Sequence, residues 1–109
     1  MASIMKKFLA ELIGTFVFLG VIIINVSGKS LSIFEKAENW LKIGLALSIA
    51  ILLMGGISGG HFNPAVSVMF YLHKDLTSEE LMIYILGQLI GAVLAYMMYK
   101  MLYTSSIAI

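Results

Sequence analysis

Three long apolar runs, at about 8–26, 41–57 and 81–103, occupy more than half of this 109-residue chain and leave it few ways to fold. Hydrophobic residues make up 61% of the sequence, charged residues 12%, and the mean hydropathy is +1.01. A soluble chain of this size cannot hide that much apolar surface, whereas a run of ~20 apolar residues suits a ~30 Å hydrocarbon core as a helix. The expected fold class is therefore an all-α integral membrane protein, multi-pass and in the cell membrane, forming a single domain over residues 1–109. The first run follows Lys6 and Lys7 and superficially resembles a secretory leader. It contains Glu11, and no small-x-small cleavage site closes it, so it reads as a retained spanning helix.

The marked interruption is Ser58-Gly59-Gly60-His61-Phe62-Asn63-Pro64-Ala65-Val66-Ser67, which holds the only proline. Proline has its φ fixed near the helical value and lacks an N–H, so Pro64 suits the first position of a helix. Asn63 is a strong N-cap residue, and the glycines before it allow positive φ or close approach of the backbone. The stretch thus predicts an irregular loop feeding a capped helix that ends near Leu72, a re-entrant unit over about 58–72. Roughly ten residues of helix span ~15 Å, half the hydrocarbon thickness. A half-length helix starting at mid-membrane is one way to build a polar site in a bilayer. Irregular backbone at that depth must be buried in protein or line a wet cavity, so three spans alone form a thin shell around it.

Polar connectors separate these elements. Residues 27–39 contain Lys29, Glu35, Lys36 and Glu38, with Trp40 placed as an interfacial aromatic at the start of the second span. In the turn at 73–80, Thr77 or Ser78 is positioned to cap the third span, with Glu79 and Glu80 in its first turn and His73 solvated. Gly87, Gly91 and Ala95 form a stripe of small residues that permits close helix approach. Ala10 with Gly14, and Gly44 with Ser48, repeat it briefly.

Several residues bear on chemistry. The Asn63 amide can donate to a passing solute, and the helix N-terminus behind it carries about +0.5 of an elementary charge. Gly59, Gly60, His61 and Phe62 offer carbonyl acceptors. This arrangement suits water or a small hydroxylated molecule and repels a cation. Glu11 has three readings: a functional ionisable group inside a span, a side chain snorkelling to the interface, or an acceptor for N–H groups of the glycine loop or His61. Gln88 is interhelical glue or pore lining. His61 has no partner at metal-ligand spacing, so no metal site is expected. No nucleophile–base pair, paired carboxylates or phosphate loop occurs, so neither an enzyme with catalytic residues nor a cofactor is expected. Net charge is +1 and all basic residues are lysines, which gives no basis for nucleic-acid binding. Cysteine is absent, which rules out disulfides.

Taken in order, Ala10-Glu11-Leu12-Ile13-Gly14-Thr15-Phe16, then Ser58 to Ser67, then Gly87-Gln88-Leu89-Ile90-Gly91-Ala92, resemble the first half of an aquaporin, a member of the major intrinsic protein family of water and glycerol channels. The resemblance covers almost the whole chain. Family members contain two such halves, inverted in the membrane, whose half-helices meet at mid-bilayer. It implies that Asn63, Pro64 and Ala65 line a pore, that Gly59 to Phe62 supply carbonyls, and that Glu11 and Gln88 support the loop. It also implies packing through Gly14, Gly87, Gly91 and Ala95. The chain departs from the pattern in having one Asn-Pro-Ala, no arginine, Val66 after the motif and Ile43 where the filter aromatic is expected. Water and glycerol-like solutes are therefore both open.

The lysines bear on assembly. If the N-terminus and the 73–80 turn share one side, that side holds Lys6, Lys7 and Lys74, against Lys29, Lys36, Lys42 and Lys100 on the other. Without a positive-inside bias the chain can insert both ways, and two antiparallel copies rebuild an inverted repeat. The expected partners are membrane lipid, the solute and a second copy, as a homodimer with further assembly into a tetramer of pores. The rivals are a non-conducting structural subunit and a gene fragment that needs a different partner chain.

Overall fold

The computed structural model describes residues 3–27 and 38–105, with side chains described as far as Tyr103. The connector lysines and acid at positions 29, 35 and 36 lie outside the described residues. Four α-helices follow one another: α1 Ile4–Val26, α2 Asn39–Ser58, α3 Pro64–Leu72 and α4 Ser78–Lys100, the last continuing as a π-helical turn, Met101–Ser105. Three are long and apolar enough to cross a membrane: α1, α2 and α4 with its extension. The described chain is an all-α, multi-pass arrangement.

Each long helix begins a few residues before its apolar run, because hydropathy marks the apolar stretch while the helix begins at its cap. Ser3 caps α1 by accepting from the Lys6 N–H. Thr77, rather than Ser78, caps α4, in a reciprocal box: its Oγ1 accepts from the Glu80 N–H at 3.1 Å, and Glu80 Oε1 accepts from the Thr77 N–H at 3.0 Å. Glu80 Oε2 pairs with Lys7 Nζ, so one carboxylate caps α4 and also ties it to the first turns of α1. That pair puts the starts of α1 and α4 at the same end of the molecule.

α1 packs against both α2 and α4, and α3 lies against α4. The α1–α4 contact is a close backbone approach. A Cβ on Gly91 would stand 2.6 Å from the Leu12 carbonyl oxygen, and one on Gly87 2.9 Å from that of Phe8. Ala95 completes the buried line at 1% exposure, where even a methyl just fits. The pair on α2 behaves differently. Gly44 and Ser48 are exposed, a Cβ on Gly44 would meet nothing within 4 Å, and the Ser48 hydroxyl bonds its own helix at the Gly44 carbonyl. With Leu45, Ile49, Leu52 and Leu53, also exposed, they give α2 an apolar outer face suited to lipid or another chain.

We predict that Gly91→Val forces α1 and α4 apart and destabilises the chain by about 1–3 kcal/mol or more, the usual cost of overpacking. Gly44→Val should leave monomer stability within about 0.5 kcal/mol, as expected for an open surface site. Thermal unfolding in detergent, followed by circular dichroism, compares the two; equal midpoints would contradict the packing described.

Candidate functional site

The site begins where α2 stops. Gly59 turns the chain at φ 91° and Gly60 continues at φ 67°, both in the left-handed region that glycine enters without penalty. Phe62 then sits at φ 53°, uncommon for a residue with a side chain. Two contacts hold it there. Its N–H donates to Glu11 Oε1 at 2.8 Å, and its ring, 2% exposed, lies over Gly14, where a Cβ would come within 2.0 Å of it. Gly14 thus admits a loop side chain to the flank of α1.

Glu11 is fully buried and accepts four hydrogen bonds. Oε2 takes the Ser58 hydroxyl at 2.7 Å and the His61 N–H at 3.0 Å; Oε1 takes the Phe62 N–H and Gln88 Nε2, both at 2.8 Å. The Ser58 hydroxyl accepts in turn from the Gly60 N–H at 3.2 Å. Three consecutive loop N–H groups are therefore drawn toward α1, directly or through one serine. Among the described residues, the loop's hydrogen bonds use these N–H groups and leave the carbonyls of Gly59 to Phe62 without a protein donor.

Gln88 Nε2 donates twice, to Glu11 and to Ser67 Oγ at 2.9 Å, while its own Oε1 is buried without a partner. An unpaired buried acceptor costs about 1–3 kcal/mol. Flipping the amide would set oxygen against the Glu11 carboxylate and lose both donations, so the geometry keeps the smaller penalty. Tyr84, one turn before Gln88, donates its hydroxyl to the Ser58 carbonyl at 2.6 Å and is itself 2% exposed. Neither Tyr84 nor the roles of Ser58 and Ser67 emerged from the sequence. The available signal was Tyr84 four residues before Gln88, two polar side chains on one face of an apolar helix.

Asn63 caps α3: its Oδ1 accepts from the Ala65 N–H at 2.9 Å, which leaves the amide NH₂ to point outward. Asn63, Pro64 and Ala65 are exposed, and Val66 is half-buried. Ile43 is also half-buried but lies in the second turn of α2, at the opposite end of that helix from the loop. The chain does not bring it beside Asn63. His73, expected to be solvated, is exposed and pairs with Asp75 through Nδ1 at 2.8 Å.

A cavity of about 430 Å³ approaches the loop from the end carrying the α3–α4 turn. Lys7 and Asp75 belong to its outer wall, and Gly59, His61, Phe70 and Tyr84 to its inner one. A larger depression of about 720 Å³ lies elsewhere, between Phe16 and the Met97–Met101 end of α4; it is apolar and has no polar group of the loop in it. In chemical terms the site offers acceptors from a strained loop, one amide donor and the positive end of a nine-residue helix, in a chain that spans a membrane.

Three helices able to span a membrane and a capped half-helix packed on the last of them define a class of multi-pass membrane protein, and comparison with known proteins gives the family. The Major intrinsic protein family matches residues 1–108, and this chain belongs to it. It is 40% identical over 94 residues to the glycerol uptake facilitator protein-like 6 of Lactiplantibacillus plantarum, covering 84% of this chain and 41% of that protein. It is 38% identical over 104 residues to the propanediol uptake facilitator of Salmonella typhimurium, covering 87% and 38%. Aquaporin-2 of Rhizopus delemar is 35% identical over 91 residues, covering 80% and 28%. The chain therefore spans about two fifths of the length of the first of these relatives. No solved structure matches it.

Glu11→Ala removes the acceptor for four donors, two of them backbone N–H groups of the loop. At about 1–3 kcal/mol per stranded group, the loop should lose its fixed conformation. Amide hydrogen exchange at His61 and Phe62 should accelerate by orders of magnitude in Glu11→Ala, while amides in the middle of α2 change little. Unchanged protection at those two positions would contradict the anchoring role.

Proposed function

We propose that this chain is a subunit of a passive channel for water and small neutral solutes such as glycerol, with Asn63, Pro64, Ala65, Val66 and the carbonyls of Gly59 to Phe62 lining the path. The observation that carries this reading is the polarity of the loop. Its N–H groups are turned inward to Glu11, which leaves acceptors along the approach to a donor at Asn63. Neutral hydroxylated solutes meet matched acceptors and donors there. Cations meet the positive end of α3 and, at the half-helix, a donor amide. The names of the relatives, which include glycerol and propanediol uptake facilitators and an aquaporin, support the same solute class. A channel needs no bond-making machinery, and we do not assign an enzymatic role.

The pore, in this proposal, is completed by a second, inverted copy in the cell membrane. Asn63, Pro64 and Ala65 are exposed on the single chain, and α2 offers an apolar outer face. Lys6, Lys7 and Lys74 fall at the end where α1 and α4 begin, and Lys42 and Lys100 at the other, a difference of one among the described residues and too small a bias to fix one orientation. The four-pore assembly of such dimers, and the packing roles of Gly14, Gly87, Gly91 and Ala95 within them, extend the same proposal.

Two measurements test it. In proteoliposomes, stopped-flow shrinkage under a glycerol gradient should be fast, and Asn63→Asp should slow it by about tenfold, equivalent to ~1.4 kcal/mol at the barrier. Aspartate is an equally good N-cap, so this variant removes the amide donor without removing the cap. Wild-type rates equal to those of empty vesicles would instead favour a non-conducting subunit or a need for a different partner chain. Because the sequence lacks cysteine, a single cysteine at Ser3 reports orientation by impermeant labelling. Comparable labelling from both sides is expected, and one uniform orientation would rule out the antiparallel homodimer.

A further inference from the structure

His61 enters the reading above only through its backbone, yet its side chain is held on several sides in the cavity. It stacks on Phe70 with ring centroids 4.7 Å apart and 15° between planes, and lies tilted against Tyr84 at 4.9 Å. Its Nδ1 is 2.9 Å from Ser67 Oγ. Its Nε2 is turned toward the Gly59 side, 3.4 Å from where a Cβ on that residue would be, and both residues line the 430 Å³ cavity. Nε2 has no hydrogen-bond partner among the described residues and is not fully buried.

We propose that the buried network fixes His61 as the Nε2–H tautomer, making it a hydrogen-bond donor that selects for hydroxylated solutes one step before Asn63. The assignment runs outward from Glu11. A carboxylate that takes four donors orients Gln88 with Nε2 toward it, and the second hydrogen of that NH₂ goes to Ser67 Oγ. Ser67, fully buried and already accepting from Gln88, has His61 Nδ1 as the side-chain partner for its own hydroxyl hydrogen. Nδ1 then accepts, and the ring proton belongs on Nε2. The cavity therefore has a fixed donor on the wall that Gly59 shares, with the rings of Phe70 and Tyr84 beside it. A solute whose oxygen accepts from Nε2–H while its O–H donates to a carbonyl, and whose carbon skeleton lies along the rings, fits the slot. Small polyols have this chemistry. A polyol held at both points depends on both bonds, whereas water passing in file can replace a missing one, so losing the donor weighs more on glycerol than on water.

This proposal rests on the channel reading for its selectivity and on the network for its tautomer, and the two can be tested separately. In nanodisc-held protein with ¹⁵N-labelled histidine, the His61 signals should be those of the Nε2–H form, Ser67→Ala should give a mixture of tautomers, and glycerol should shift the Nε2–H resonance. In proteoliposomes, His61→Phe keeps the stacked ring and the backbone bond to Glu11 but removes both nitrogens. It should lower the glycerol-to-water permeability ratio by about two- to tenfold, the fold-change that one net hydrogen bond gives. An Nδ1–H tautomer in the wild type, or an unchanged ratio in His61→Phe beside a conducting wild type, overturns the proposal. If the wild type itself does not conduct, the channel reading fails, and a His61 resonance that glycerol leaves unmoved overturns the donor role independently.

Discussion

The loop between α2 and α3 depends on a single carboxylate. A glycine-rich turn packed against a spanning helix has buried N–H groups, and leaving them bare would cost more than the loop's own conformation could offset. Glu11 solves this with two oxygens and four donors, each within 3.0 Å. The burial of the carboxylate and the lack of a protein donor to the loop carbonyls are thus two sides of one constraint. Because the donors are tied back to α1, the acceptors are turned the other way. The same carboxylate fixes the amide of Gln88, and through it the hydroxyl of Ser67, so its influence reaches well beyond the residues it touches.

A second dependence is steric. The Phe62 backbone enters the left-handed region only because its ring has somewhere to go, and Gly14 provides that place. Gly87 and Gly91 let α4 approach α1 closely enough for Gln88 to reach Glu11. Close backbone approach and polar anchoring therefore reinforce one another. The larger apolar depression near Phe16 and Met97 lacks both features, which is why size alone is a poor guide to where the chemistry of this molecule lies.

Much of the scaffold was legible in the sequence because it follows from local rules. Asn63-Pro64 signals a capped helix start through φ restriction and side-chain bonding, and Thr77 or Ser78 ahead of Glu79 and Glu80 signals another, the choice of Thr77 being settled only by the structure. Helix ends were less legible than helix existence, since hydropathy fades two to four residues before the hydrogen bonding does. The site was legible in part. That a carboxyl at Glu11 needs partners follows from its apolar run, but which partners it finds depends on where α2 turns and on α4 lying 77 residues away in sequence. Neither Tyr84 nor Phe70 stood out in the sequence, and only the tertiary arrangement puts both against His61. Gly44 and Ser48 show the opposite error: a spacing that fits helix packing is turned away from the rest of the chain.

The wide sequence separations in the Glu11 cluster also order events in time. A ribosome delivers α1 first, so the acceptor is already in place when Ser58, His61 and Phe62 emerge. Gln88 and Tyr84 come later, together with the helix on which α3 rests. Until α4 arrives, the half-helix lacks the helix it packs against, and its seating in the fold follows that of α4. The positioning of Asn63 is therefore tied to a helix made after the segment that carries it.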